Sequence, residues 1–123
     1  MNEMILSSGR RIGDGHPCFI IGEAGSNWRM GEPARDLAMA LALIDVAKEC
    51  GCDAVKCQTY RAESVYVANA GESDYLANAG IRQSITKIFE DLAMPYEMIE
   101  RLAQRCREQG IAFMSTPFSI ADA

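Results

Sequence analysis

Short apolar segments alternate with amphipathic helical segments along this chain, and the alternation leaves few folds open. The apolar segments are Cys18 to Ile21, Asp53 to Thr59 and Ile111 to Met114. Their length and their flanking glycines favour buried strands. A strand, a helix and a second strand form a βαβ unit, whose two strands run parallel with a right-handed crossover. The order predicts an α/β protein with a parallel sheet.

Proline and glycine mark the ends of two predicted helices. Proline suits the first turn of a helix and glycine the position after its last turn. Pro33 and Gly51 therefore bracket one helix, and Pro95 and Gly110 bracket another. A shorter helix is predicted over residues 85–92. Residues 61–80 follow no regular pattern and predict a long loop with some helix, of the kind that often has a function.

Three parallel strands with helices on one face form an incomplete layer. A closed (β/α)₈ barrel needs eight strands and about 250 residues, whereas this chain has 123. The fold expected is the first three βα units of a truncated (β/α)₈ TIM barrel. Residues 1–123 are then the amino-terminal portion of that barrel domain.

Composition excludes several classes of protein. The chain has 12 basic and 17 acidic residues, a net charge of -5. An acidic chain is a poor scaffold for nucleic acid or an anionic membrane. No apolar stretch is long enough to span a bilayer, and no secretory signal follows Met1, so the expected location is the cytoplasm.

The five cysteines and the single histidine do not have the spacing of a metal site. No CxxC pair occurs, Cys50 and Cys52 are separated by one residue, and His16 lies far upstream. The cysteines are expected to be buried, reduced thiols that act as small apolar fillers.

Polar residues lie at the carboxyl ends of the predicted strands. They are Glu23, Lys56 with Gln58, and Ser115 with Thr116. Ligands bind at this end of a parallel sheet, so the position favours function. Two structural alternatives stay open. Glu23 and Lys56 can form a salt bridge between neighbouring strands, and Ser-Thr-Pro is also a common turn after a strand.

Other conspicuous residues have simpler explanations. The glycines after the first strand lack the GxGxxG spacing, and no phosphate-binding loop motif is present. Trp28 can line a sugar site or pack over the barrel rim, and the sequence favours neither. Met94, Met98 and Met114 are expected to fill the core.

Three motifs together resemble the sialic acid synthase family, that is, N-acetylneuraminate synthase and its relatives. FIIGEAGSN, GCDAVKCQTY and GIAFMSTPFS occur in that order. In the family, the first strand typically ends in Glu-x-Gly-x-Asn, the second in Val-Lys-x-Gln and the third in Ser-Thr-Pro-Phe. The resemblance runs over nearly the whole chain and covers about the first third of a family member.

The resemblance implies an enzyme that condenses phosphoenolpyruvate with an N-acetylated sugar aldehyde of the N-acetylmannosamine type. C3 of phosphoenolpyruvate attacks the aldehyde, water adds to the cationic intermediate, and phosphate leaves. The product is a nine-carbon sialic-type acid.

The resemblance also assigns roles to single residues. Glu23 matches a glutamate near the sugar and the attacking water, Lys56 a lysine that binds phosphoenolpyruvate, and Thr116 a threonine near the sugar. Asn27 and Gln58 match supporting residues. Ser115, in the same Ser-Thr-Pro-Phe motif, is counted with the substrate-binding residues.

Two departures from the family pattern affect these expectations. Trp28 stands where many members have histidine, and extra residues lie between Asn27 and Leu37, which points to a modified or different sugar. The family's divalent metal (Mn or Mg) is held by two histidines from later strands, and its homodimer involves a further domain. This chain alone is therefore predicted to be inactive. The alternative is a stand-alone α/β module that binds an anion or a sugar phosphate without catalysis.

Overall fold

A computed structural model describes residues 2–65, 71–80 and 83–123, except for the side chain of Tyr75. An antiparallel hairpin of β1 (Glu3–Ile5) and β2 (Arg11–Gly13) comes first. A parallel sheet follows, with β3 (Ile21–Gly25), β4 (Ala54–Thr59) and β5 (Ala112–Pro117) in that spatial order. The helices are α1 (Pro33–Glu49), α2 (Ala62–Val65), α3 (Asp74–Asn78), α4 (Ile85–Leu92) and α5 (Tyr96–Gln109), with a 3₁₀ turn at Ile120–Asp122. Within these ranges, no helix combines the length and apolar character needed to cross a membrane.

The parallel βα architecture predicted from the sequence is confirmed, and so are the ends of its two long helices. Pro33 opens α1, and α5 begins directly after Pro95. Gly51 and Gly110 follow the two helices with φ of +81° and +63°. A left-handed backbone is costly for residues with a Cβ, so glycine ends both helices where the sequence predicts it.

The core lies between one face of the sheet and helices α1 and α5. Ile44 of α1, Val55 and Cys57 of β4, and Leu102 and Cys106 of α5 are all buried there. Met94 and Met98 also belong to this core, as predicted. Met114 does not. Its prediction is wrong because it lies in register with Lys56, on the face that the helices leave open.

The first strand begins later in the chain than predicted, and it is less buried than predicted. The strand is Ile21–Gly25 rather than 18–21, because pairing of Ile21 with Ala54 sets its register. Ile20 instead bonds to the loop before β4: its N–H donates to Asp53 Oδ2 at 2.8 Å. Ile20 and Ile21 are 47% and 42% exposed. The run is therefore not buried on both faces, and in the described residues the outer edge of β3 carries no partner strand.

The third strand continues beyond its predicted end. The prediction ends it at Met114 and treats Ser-Thr-Pro as a turn, but β5 pairs with β4 as far as Pro117, which lies opposite Thr59. Phe118 then donates its N–H to the carbonyl of Thr59 at 3.1 Å. Proline is tolerated because β5 is an edge strand among the described residues and Pro117 is its last member.

The amino-terminal hairpin is not predicted from the sequence. Its strands have three residues each and carry little apolar pattern. Glu3 of β1 accepts a hydrogen bond from Arg11 of β2 at 2.7 Å, and His16 Nε2 lies 3.2 Å from the same carboxylate oxygen. The cysteine prediction is right for the buried Cys57 and Cys106, and wrong for Cys18 and Cys50, which are exposed.

Candidate functional site

The open face of the parallel sheet carries a polar cluster at the carboxyl ends of its strands. Side chains alternate between the two faces of a strand, and along β4 Val55 and Cys57 point to the helices. Lys56 and Gln58 therefore lie on the other face. The register sets Glu23 of β3 beside Lys56 and Thr116 of β5 beside Gln58. One edge of the sheet thus presents a carboxylate, an ammonium, an amide and a hydroxyl.

Lys56 lies at the centre of this cluster. Its ammonium forms an ion pair with Glu23 Oε2 and donates to Thr116 Oγ1 at 3.2 Å. The side chains of Lys56 and Glu23 are 29% and 45% exposed. An ammonium has three N–H donors, and these two contacts use two of them among the described residues. The third is available to an anionic ligand approaching from the open face.

A β-bulge fixes the carboxylate of Glu23. The register of β3 against β4 shifts between Glu23 and Gly25, and Gly25 has φ +53°. In this conformation the N–H of Gly25 donates to Glu23 Oε1 at 2.9 Å. One carboxylate oxygen is held by the backbone and the other by Lys56, so the acid has a defined orientation.

The salt bridge that the sequence offers as a structural alternative is therefore present. A half-exposed pair of this kind contributes about 0 to 1 kcal/mol to stability. Both groups stay open to solvent, so the pair can also bind: the ammonium suits a phosphate or carboxylate, and the carboxylate can accept a proton from water. The geometry is compatible with both roles.

The other predicted site residues do not all join this cluster. Gln58 shares the open face with Lys56, in register with Thr116. Asn27 lies exposed in the turn after β3, where its backbone N–H and its side-chain amide both donate to the carbonyl of Ala24, each at 3.0 Å. Ser115 lies on the helix-covered face, and its hydroxyl is 2.6 Å from Thr59 Oγ1. The structure thus brings together Glu23, Lys56 and Thr116, with Gln58 beside them.

Trp28 packs into the core and does not line the open face. It is 3% exposed, within the same apolar cluster as the sheet and the helices. Of the two alternatives that the sequence leaves open, packing is the one realised.

Asp36 is a polar residue of this region that no sequence motif marks. It lies in the first turn of α1 and is buried, and it accepts from Arg29 and from the backbone of Met30 and Gly31. Burial by itself raises the pKa of Asp36, but the hydrogen bonds from Met30 and Arg29 outweigh it and leave the pKa below its ordinary value. An acid in the first turn of a predicted helix is the only sequence signal, and it is a weak one because such acids are common there.

Arg61, which follows β4, is a second cation near this end of the sheet. Its guanidinium carbon lies 3.4 Å from the centre of the Tyr96 ring, and Nη1 donates to the carbonyl of Met94 at 3.1 Å. Tyr96 in turn donates to Asp122 at 2.7 Å, which raises the pKa of Tyr96. Arg61 therefore joins the start of α5 to the segment after β4, whereas Lys56 faces the open side.

The residues described here do not assemble a metal centre. Among them, no group of three or more His, Cys, Asp or Glu side chains is placed to hold a metal ion. The single histidine, His16, lies beside Glu3 at the amino-terminal hairpin. The metal implied by the resemblance therefore has no fitting ligand set among the described residues.

Comparison with known proteins shows which proteins this chain is similar to. The sequence profile of the NeuB family matches residues 43–123. Spore coat polysaccharide biosynthesis protein SpsE of Bacillus subtilis is 39% identical over 107 residues, which are 87% of this chain and 27% of that protein. Pseudaminic acid synthase of Campylobacter jejuni is 32% identical over 106 residues, 85% of this chain and 29% of that protein. The chain thus spans somewhat under a third of these relatives.

A solved structure shows the same backbone. The N-acetylneuraminic acid (sialic acid) synthetase of Leptospira borgpetersenii, in complex with citrate, superposes with a TM-score of 0.74 at 26% identity. The match covers 98% of this chain and 36% of that one. The βα units described here therefore correspond to part of a larger NeuB-type chain.

Proposed function

This chain belongs to the NeuB family, and from that premise we propose that it is the amino-terminal part of a sugar-acid synthase that uses phosphoenolpyruvate. The proposed reaction joins C3 of phosphoenolpyruvate to the aldehyde carbon of an N-acetylated sugar. Water adds to C2 of the resulting cation, and inorganic phosphate leaves. The product is a nine-carbon acid of the sialic type.

The observation that carries this proposal is the Glu23–Lys56–Thr116 cluster on the open face of the sheet. Phosphoenolpyruvate is a multiply charged anion and needs a fixed cation. Lys56 supplies one at the strand ends, in partial shelter from water, where a charge counts for more than in bulk solvent. Glu23, already oriented by Gly25, accepts the proton of the attacking water.

The remaining residues have supporting roles in this proposal. Thr116 binds the sugar next to Lys56, and Gln58 lines the same face. Asn27 contributes from the turn after β3. Ser115 supports the position of Thr116 through its bond to Thr59 and is not expected to contact phosphoenolpyruvate itself.

The identity of the sugar is a separate part of the proposal. The similar proteins are named for different products, pseudaminic acid in one case and N-acetylneuraminic acid in another, at 32% and 26% identity. We assign the substrate class, an N-acetylated sugar aldehyde, with N-acetylmannosamine as the first compound to assay. A divalent metal, a homodimer and a cytoplasmic location remain predictions for the whole protein.

The first experiment is sequencing of the encoding locus beyond the codon for Ala123. A frame that continues for roughly two hundred residues or more, with later histidines, completes a barrel of family size. The full-length protein encoded by that frame is then assayed for phosphate release from phosphoenolpyruvate with Mn²⁺ and a panel of N-acetylated hexoses. We expect sugar-dependent release by the full-length protein and none by the 123-residue chain.

Lys56→Gln and Lys48→Gln provide the matched pair of variants for this assay. Both remove one positive charge, but Lys48 donates to the carbonyl of Gly110, which lies just before β5, at the opposite end of the sheet. Lys56→Gln is expected to abolish turnover and Lys48→Gln to retain it. Turnover by the 123-residue chain itself, or equal loss in both variants, contradicts the proposal. A stop codon after Ala123 together with phosphate binding by the chain alone favours the small binding module.

A further inference from the structure

The loop of residues 26–32, which joins β3 to α1, is fastened by a buried carboxylate. Asp36 is 5% exposed. Its Oδ1 accepts from the backbone N–H groups of Met30 and Gly31, at 2.6 and 3.0 Å, and its Oδ2 accepts from Arg29 Nη1 at 2.7 Å. A carboxylate that accepts three such bonds replaces the water that it loses on burial.

Arg29 extends this fastening to a third element. Its Nη2 donates to Asp91 Oδ1 at 2.7 Å, and its Nε donates to the backbone carbonyl of Asp91 at 3.1 Å. Asp91 lies near the end of α4, whereas Asp36 lies near the start of α1. We call Arg29, Asp36 and Asp91 the loop clamp, because they tie the loop to both helices.

The loop begins at the site. Its first residues follow Gly25, whose N–H holds the Glu23 carboxylate, and Asn27 bonds back to Ala24 in the same bulge. Trp28 points inward and is buried, which leaves Asn27 exposed at the strand end. A shift of the loop therefore moves Asn27 relative to Glu23 without touching Lys56, which is on β4.

We propose that Asp36 is a positioning residue that, through Arg29 and the amides of Met30 and Gly31, sets the 26–32 loop beside Glu23 and thereby determines which sugar the site accepts. The part that concerns sugar rests on the function proposed above. The part that concerns loop position does not. Misplacement of a positioning element by about 1 Å can lower a rate by about a hundredfold, so the clamp matters to chemistry that it does not touch.

Trp28 offers a direct measurement of loop position, because it is the only tryptophan of the chain. Asp36→Ala is expected to increase acrylamide quenching of Trp28 and to shift its emission to longer wavelength. Asp36→Asn keeps an oxygen for the two amides and loses the charge that pairs with Arg29, so a smaller change is expected. Asp45→Ala and Asp45→Asn are the matched controls: Asp45 is also on α1 and also paired with an arginine, Arg105, away from the loop.

Asp91→Ala is a second, milder variant that tests the same proposal if Asp36→Ala does not fold. Asp91 is exposed and its loss frees only the outer end of the clamp, so far-UV circular dichroism is expected to stay unchanged while Trp28 quenching rises. Quenching that is the same in wild type, Asp36→Ala and Asp91→Ala, or that rises equally in the Asp45 variants, overturns the proposal.

The part of the proposal that concerns the sugar is tested in the complete protein encoded by the locus. Asp36→Asn is expected to raise KM for the sugar about tenfold or more and to leave KM for phosphoenolpyruvate unchanged, a split that general destabilisation does not produce. Equal effects on both constants overturn this part. If wild type releases no phosphate with any sugar, the proposed function and this part both fail, and the fluorescence result still decides whether the clamp sets the loop.

Discussion

The two faces of the parallel sheet differ sharply although they are built from alternate residues of the same strands. On β4, Val55 and Cys57 lie under α1 and α5, and Lys56 and Gln58 lie on the open side. Burial, followed by the nearby Cys106 thiol, raises the pKa of Cys57 to about 11, so that it remains a neutral, unreactive thiol. One peptide unit away, Lys56 holds a charged pair in contact with solvent. The helix-covered face stabilises the fold and the open face is free for binding.

The largest effect expected is on the helix-covered face. Leu102 of α5 is completely buried, so Leu102→Ala should lower the free energy of unfolding by about 2 to 5 kcal/mol, through lost burial and the cavity left behind. Urea unfolding followed by circular dichroism measures it. Val46→Ala on α1, where the side chain is 54% exposed, should change it by no more than about 0.5 kcal/mol. Similar losses in the two variants would mean that the helices do not form the core described here.

On the open face the expected loss is in binding. Lys56→Gln should weaken the affinity of the chain for phosphoenolpyruvate at least about tenfold, because a hydrogen bond to a charged group contributes about 1.5 to 3 kcal/mol. Stability should change by no more than about 1 kcal/mol, since the pair with Glu23 is half-exposed. Calorimetric titration measures the affinity, with inorganic phosphate as a second ligand. Lys48→Gln is the control, and a drop in affinity as large as that of Lys56→Gln would remove Lys56 from the site.

The contrast between the faces also shows which features of the fold and the site can be predicted from the sequence alone. Apolar runs, Pro33 and Gly110 predict the order of strands and helices and the ends of the two long helices correctly, because helix ends and strand composition are local properties, but the bounds of β3 and β5 are missed. The contact of Glu23 with Lys56 follows from strand-end position once the strands are parallel. Register is a different matter, since it depends on the partner strand. Ser115 and Thr116 look equivalent in the sequence, but β5 continues through both, so they lie on opposite faces, and the pairing with β4 decides which face each one takes.

Long-range polar contacts are the other part that the sequence does not show. Arg29 reaches Asp91 across 62 positions, and no local pattern relates the two residues. Asp36 resembles an ordinary acid in a first helical turn, and its burial depends on the loop that folds over it. The β1–β2 hairpin is missed for a similar reason, because its three-residue strands are too short to carry a periodic signal.

Ser115 and Thr116 allow a comparison of the two faces within a single peptide unit. Ser115→Ala removes the 2.6 Å bond to Thr59 and should lower stability by about 0.5 to 1.5 kcal/mol with no change in phosphoenolpyruvate binding. Thr116→Val removes the acceptor of Lys56 and should do the reverse, with unchanged stability and a reduced affinity. Urea unfolding and calorimetric titration of both variants measure this. Loss of affinity in Ser115→Ala would show that Ser115 binds the ligand directly.

The smallest effect expected concerns the outer surface of the helix layer, where Asp45 of α1 accepts from Arg105 of α5 at 2.8 and 2.7 Å. The hydrogen bond from Arg105 holds the pKa of Asp45 below its ordinary value of 3.8. A carboxyl with a lowered pKa in the folded state stabilises the fold fully above that ordinary value, and the contribution disappears as the pH falls through the folded-state pKa. Both side chains are about a third exposed, so the contribution at neutral pH is about 0 to 1 kcal/mol.

A double-mutant cycle of Asp45→Asn and Arg105→Gln separates this pair from the other acids. The coupling free energy, from urea unfolding, should be no more than about 1 kcal/mol at pH 7 and should be smaller still at about pH 2, where the aspartate is protonated. A coupling of the same size in acid would mean that the two side chains interact by packing or by a neutral hydrogen bond and not as an ion pair. A coupling larger than the loss in Leu102→Ala would show that ion pairing, and not apolar burial, holds the helices on the covered face of the sheet.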